Sequence, residues 1–155
     1  MIRVTLILAL SLAVGIPAYA EKSVADIDLP ADLVGEIGGA PYNIRVPENW
    51  NGTLLVYCRG YGRRVPPRAA IGGIPTEEVL LSQGYALAAS AFRAAGWATK
   101  EGVQDTVALT SYFRDFVGNP ERIIVYGNSF GGGLTLELIE KHPGLYDGAI
   151  ALCAW

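Results

Sequence analysis

Ser129 stands between Gly127 and Gly131 in the stretch IIVYGNSFGGGLTL, residues Ile123–Leu136. A serine hydroxyl is a weak nucleophile. To attack an acyl carbon it needs a base for its proton, a carboxylate to orient that base, and donors for the oxyanion that forms. The spacing around Ser129 meets part of this requirement. The apolar run before it reads as a buried strand and Phe130 opens a helix-compatible run, so Ser129 falls on the turn between them. That turn lies at the carboxyl edge of an open α/β sheet, where ligands bind. A chain that reverses this sharply needs strained backbone at the serine and small residues two positions to either side, the G-x-S-x-G pattern that Gly127 and Gly131 complete. The helix that follows turns its amide donors and positive dipole end towards the same point. The plainer alternative is a glycine-rich turn with a helix-capping serine; the lack of any spacer between strand and helix favours the first.

The same glycines do not make a phosphate loop. Gly127 and Gly132 have the outer spacing, but Gly133 and Leu134 occupy the positions that need Lys and Ser or Thr. Ser129 takes the place of the middle glycine of G-x-G-x-x-G, so a dinucleotide fingerprint is not matched either. Nucleotide binding is rejected.

The base is harder to find. His142 is the chain's one histidine, thirteen residues after Ser129. Along a helix that offset is roughly 20 Å, against the ~3 Å that proton transfer requires. His142 therefore reads as the polar end of a helix. Asp147 precedes the last strand, at the amino edge of the sheet, and is equally misplaced to act as the acid.

The elements that must hold Ser129 follow from apolar runs and their punctuation. Residues 21–40 read as a polar, irregular arm. Tyr42–Val46 reads as a strand stopped by Pro47, and Thr53–Cys58 as a strand buried on both faces. The Asn51-Gly52 turn pairs those two as a hairpin. Thr76 caps a short helix, Tyr85–Phe92 is a strand, and Thr99 caps a helix to about Val117. Arg122–Gly127, the helix from Phe130, and a strand Gly148–Trp155 complete the series. Apolar strands alternating with helices predict an α/β fold with a mostly parallel sheet flanked by helices.

Composition is consistent with this. The 155 residues carry a net charge of −3, are 51% hydrophobic and 17% charged, and contain 19 glycines, which excludes a disordered chain and gives no footprint for nucleic acid. Residues 1–20 read as a secretory signal peptide, with Arg3, the apolar run Val4–Ile16, and small residues at Ala18 and Ala20. Export to the periplasm or the medium is expected, with no membrane span after cleavage.

Three segments, YGNSFGG at 126–132, TLLVYCRGYG at 53–62 and KHPGLYDGAIALC at 141–153, resemble the α/β-hydrolase superfamily of serine hydrolases over Tyr42–Trp155. The resemblance implies Ser129 as nucleophile, Phe130 N–H and Tyr61 N–H as the oxyanion hole, and hydrolysis of an ester, thioester or amide through an acyl-serine, with no metal or cofactor. Arg59 departs from the pattern, because the family usually has histidine there. The family's acid and histidine come later in the chain, so residues 41–155 are expected to be an incomplete hydrolase domain without triad-level turnover. A shortened fold that only binds an acyl compound or a partner is the alternative.

Two surfaces have a functional reading beside a plainer one. Arg59, Arg63, Arg64 and Arg68 crowd one loop and would form an anion-attracting rim, or else a solvated loop. The family's strand order makes Ala149–Trp155 an unguarded edge open to association. It also puts one strand between Cys58 and Cys153, roughly 9–10 Å, beyond disulfide reach.

Overall fold

The protein is described here by a computed structural model covering residues 27–72 and 74–154. Residues 1–20, expected to be a signal peptide, and Trp155 lie outside the described residues.

Among the described residues six strands form one sheet: β1 (Ala31–Ile37), β2 (Ala40–Val46), β3 (Thr53–Cys58), β4 (Ala86–Ser90), β5 (Arg122–Asn128) and β6 (Gly148–Leu152). Their order is β1-β2-β4-β3-β5-β6. β4, β3, β5 and β6 run parallel, while β1 and β2 add antiparallel at one side. Three helices, α1 (Ile74–Ser82), α2 (Thr99–Phe116) and α3 (Phe130–Lys141), supply the crossovers. The expected α/β architecture and the neighbour order β3-β5-β6 are both observed.

The inner parallel strands β3, β4 and β5 are apolar on both sides because both sides are packed. Leu54, Val56, Ile123 and Val125 join Phe92, Leu109, Phe113, Leu134 and Leu138 in the larger core under α2 and α3. On the opposite face Leu87 and Ala89 pack with Ile71, Leu55, Tyr57 and Leu80 of the α1 side. β4 is buried along its whole length. Its alanines let helices close on both faces, at the expense of apolar area per residue.

Four expectations need correction. The supposedly irregular arm contains β1, which pairs with β2 from Ala31↔Val46 to Ile37↔Ala40. Gly38 and Gly39 make that turn at φ 57° and 85°, the left-handed pattern of a two-residue hairpin. The domain thus begins before residue 41. Second, β2 and β3 are not a hairpin. β3 lies between β4 and β5, and Asn51-Gly52 instead redirects the chain, with Asn51 Oδ1 accepting from Thr53 N–H at 2.9 Å. Third, α1 starts before its expected cap, so Thr76 lies inside its first turn, and α2 begins at Thr99 itself, with Ala98 in the cap position. Last, β6 stops at Leu152, where Cys153 turns into the left-handed region at φ 47°.

Candidate active site

β5 delivers Ser129 and α3 receives it. The seven strand residues end at Asn128, the helix begins at Phe130, and Ser129 alone makes the turn, at φ 53° and ψ −125°. A non-glycine residue in that region carries a strain of about 1–3 kcal/mol, and such strain persists only where the surroundings hold it. Here they do. Ser129 N–H donates to Leu152 O on β6 at 2.9 Å, and Ser129 O accepts from Gly132 and Gly133 N–H at 2.9 and 3.2 Å. The residue itself is exposed at the carboxyl edge of the sheet.

The two glycines are there because backbone meets backbone. A methyl group on Gly131 would lie 2.0 Å from Cys58 O, and one on Gly127 would lie 2.5 Å from Gly131 O and 2.7 Å from Cys58 O. Neither obstacle is a side chain that could swing away. The first turn of α3 is therefore pressed against the ends of β3 and β5. Thr135 Oγ1 ties the same turn by donating to Gly131 O at 2.9 Å.

Beside this junction runs the loop after β3. Arg59 does not form a free cationic rim. Its guanidinium donates to Ala91 O (2.7 Å), Gly60 O (3.0 Å) and Ala94 O (3.0 Å) and lies 4.5 Å above the Phe92 ring. Burial lowers its pKa from the ordinary arginine value, but three carbonyl acceptors suit the cation. Arg59 thus fastens this loop to the loop after β4, and Gly62 leaves room for it, since a methyl group there would lie 2.9 Å from Nη1. Arg68 points away to Asp32, at 2.8 and 3.0 Å. Arg63 and Arg64 are exposed and make no ion pair among the described residues.

Tyr61 is 49% exposed on that loop. Its ring lies 5.3 Å from Trp97, which in turn meets the Phe130 ring edge-on at 5.3 Å. Phe130 is itself fully buried. Two further side chains were not signalled by any motif. Tyr57 donates its hydroxyl to Asn128 Oδ1 at 3.0 Å, fixing the residue before the serine. Phe92, two residues past the end of β4, has φ 57°, so the turns after β4, β5 and β6 each contain one non-glycine residue at positive φ.

His142 and Asp147 are not part of this site. His142 ends α3, its N–H donating to Leu138 O; twelve helical residues put it about 18 Å from Ser129 along the axis. Asp147 Oδ2 accepts from Ile123 N–H at 2.8 Å, at the amino end of β5. Ile123 precedes Ser129 by six positions along the strand, about 20 Å. Among the described residues Ser129 has no histidine within reach.

Comparison with known proteins agrees with this architecture. Residues 82–154 match the model of the prolyl oligopeptidase family. An o-phthalyl amidase of Xanthobacter agilis is 32% identical over 119 residues, 75% of this chain and 25% of the amidase. Among solved structures, a candidate dipeptidyl aminopeptidase IV of Bacteroides ovatus superposes with a TM-score of 0.66 at 22% identity, over 79% of this chain and 21% of its own. An acetyl xylan esterase of Aspergillus awamori gives 0.59 at 16%, over 77% and 50%. The parallel sheet with its exposed serine on a strand-to-helix turn is of the serine-hydrolase type, and the chain belongs to the α/β-hydrolase superfamily. It spans about a quarter of the length of the amidase it matches.

Proposed function

We propose that Ser129 is the nucleophile of a hydrolase that cleaves an amide, ester or thioester bond through an acyl-serine. The observation that carries this reading is the backbone of Ser129: exposed, in the left-handed region, at the end of β5 and the start of α3. Ser129 Oγ attacks the acyl carbon, its proton passing to a base. The oxygen that becomes negative lies between Phe130 N–H, at the positive end of α3, and Tyr61 N–H, which has no hydrogen-bond partner among the described residues. Collapse expels the amine, alcohol or thiol, which takes the proton back from the base, and water then releases the acid from the acyl-serine. Losing one oxyanion donor of this kind lowers kcat by about 10²–10³.

The base and its carboxylate come, in this reading, from residues outside these 155. His142 and Asp147 are each separated from Ser129 by the length of an element. Residues 1–20 direct export, on the strength of Arg3, the apolar run and the small residues before Glu21. Arg63 and Arg64, exposed beside Tyr61, form the rim that draws anionic substrates.

One mass-spectrometric experiment tests these points together. The chain is expressed with its leader and treated with a fluorophosphonate. The expected product begins at Glu21 and carries any label on Ser129. Label that persists in Ser129→Ala overturns the assignment of the nucleophile, and a mature chain that still begins at Met1 overturns export. An anionic probe should label more slowly as salt rises, and Arg63→Ala/Arg64→Ala should remove that dependence.

A second reading is favoured by β6. It pairs with β5 alone among the described residues and exposes Ile150 and Leu152. Such an edge suits association with a strand of another chain.

A further inference from the structure

We propose that Tyr61 and Trp97 form an aromatic wall beside Ser129 that receives a planar aromatic group on the acyl side of the substrate. This rests on Ser129 as nucleophile and adds the substrate class.

Large aromatic side chains usually bury most of their area. Here Trp97 is 65% and Tyr61 49% exposed, and the two rings touch, with centroids 5.3 Å apart and planes inclined at 52°. The pair is anchored to the site. Trp97 lies edge-on to Phe130 at 5.3 Å and 85°, and Phe130 is the residue after Ser129. A ring laid on the wall would add to the series Phe130, Trp97, Tyr61 at the 4.5–7 Å spacing that aromatic pairs favour, on loops anchored to the residue that follows Ser129.

The wall is also preorganised. Gly96 N–H donates to Gly62 O at 2.7 Å, joining the two loops that bear the rings. Arg59 holds Ala94 O from below, Thr99 N–H donates to Trp97 O at 2.9 Å, and neighbouring Ala98 is buried. Binding to side chains already fixed loses less ordering entropy than binding to a mobile surface. Exposed aromatic faces can also hold an ammonium ion. Arg63 and Arg64, two and three residues beyond Tyr61, oppose that occupant and leave a neutral or anionic aryl group.

Equilibrium binding tests the wall without requiring turnover. Benzamide and cyclohexanecarboxamide have similar size and the same amide, but only benzamide presents an aromatic face. Titration of each into the 15N-labelled chain should show benzamide binding about fivefold more tightly, the worth of one aromatic pair. The shifted amides should include those of Tyr61, Trp97 and Phe130. Trp97→Leu should weaken benzamide about fivefold and leave cyclohexanecarboxamide within about twofold. Tyr61→Leu is the second variant, in case the first loses its fold. Equal affinity for the two amides, or shifts confined to another part of the sheet, overturns the proposal. The titration reads binding alone. A wall that fails this titration is thereby distinguished from a nucleophile that fails the labelling.

Discussion

The carboxyl end of β5 and the outer side of β6 are neighbours in the sheet, with Asn128 opposite Leu152, and they are built in opposite ways. At the first, α3 meets two strands so closely that Gly131 has no room for a methyl group beside Cys58 O. Cys58, Phe130 and Leu134 beneath it are fully buried. At the second, Ile150 and Leu152 are 51% and 53% exposed. Both regions touch α3, since the first-turn glycines meet Cys58 O on one side and Leu152 O on the other. The difference teaches where precision is needed. A strained, exposed serine is stable only on backbone that cannot relax, whereas an exposed strand surface tolerates change. The comparison therefore predicts steep responses at the junction and shallow ones at the edge.

The largest expected effect is alkaline. Burial pushes the Cys58 thiol from 9.0 up to about 12. A folded-state pKa above the unfolded value means that stability is intact below pH 9 and declines between pH 9 and 12, as the unfolded chain alone ionises. Three units amount to a loss on the order of 4 kcal/mol at the top of that window. Tyr42, also raised by burial to about 12, acts in the same direction. Urea unfolding across this range should show the decline, and Cys58→Val should flatten it; an unchanged slope would break the claim that the junction excludes water. At neutral pH, exposed Cys153 should react with maleimide while Cys58 stays silent.

Next comes Gly131→Ala. Overpacking commonly costs about 1–3 kcal/mol. With 2.0 Å to a backbone carbonyl, the upper end or beyond is expected, read as a lower urea midpoint. A change under 1 kcal/mol would show that the turn is looser than its geometry.

The junction was legible in the sequence because its cause is local. Strand, serine and helix are consecutive, and the glycines mark a backbone collision that no other residue survives. The apolar runs alternating with helices pointed to a parallel sheet covered on both faces, whereas the order β3-β5-β6 came only with the resemblance to the α/β-hydrolase superfamily. β1 was not legible. Its alternation is blurred by Val34 on the exposed side and Gly35 on the covered side, where the Tyr42 ring fills the gap. The false hairpin came from trusting Asn51-Gly52, a turn signal that says the chain bends but not which strand lies beside it. Arg59 and Trp97 were illegible for a related reason. Their partners, Ala94 O and Phe130, come from other loops, and no spacing rule connects them.

The smallest effect on stability is expected at the edge, and it decides whether that edge associates. Ile150→Lys and Leu152→Lys place charges on half-exposed side chains of one strand, so each should change unfolding free energy by no more than about 0.5 kcal/mol. Lysine on an edge strand nevertheless opposes strand addition, because pairing would bring its charge against a second sheet. If β6 joins chains, the unmodified protein should sediment as a concentration-dependent mixture and the double variant as a monomer. Two identical sedimentation profiles would remove the edge as an interface. A double variant that unfolds several kcal/mol more easily would mean that Ile150 and Leu152 are packed after all, and the contrast between the two regions would fail on its exposed side.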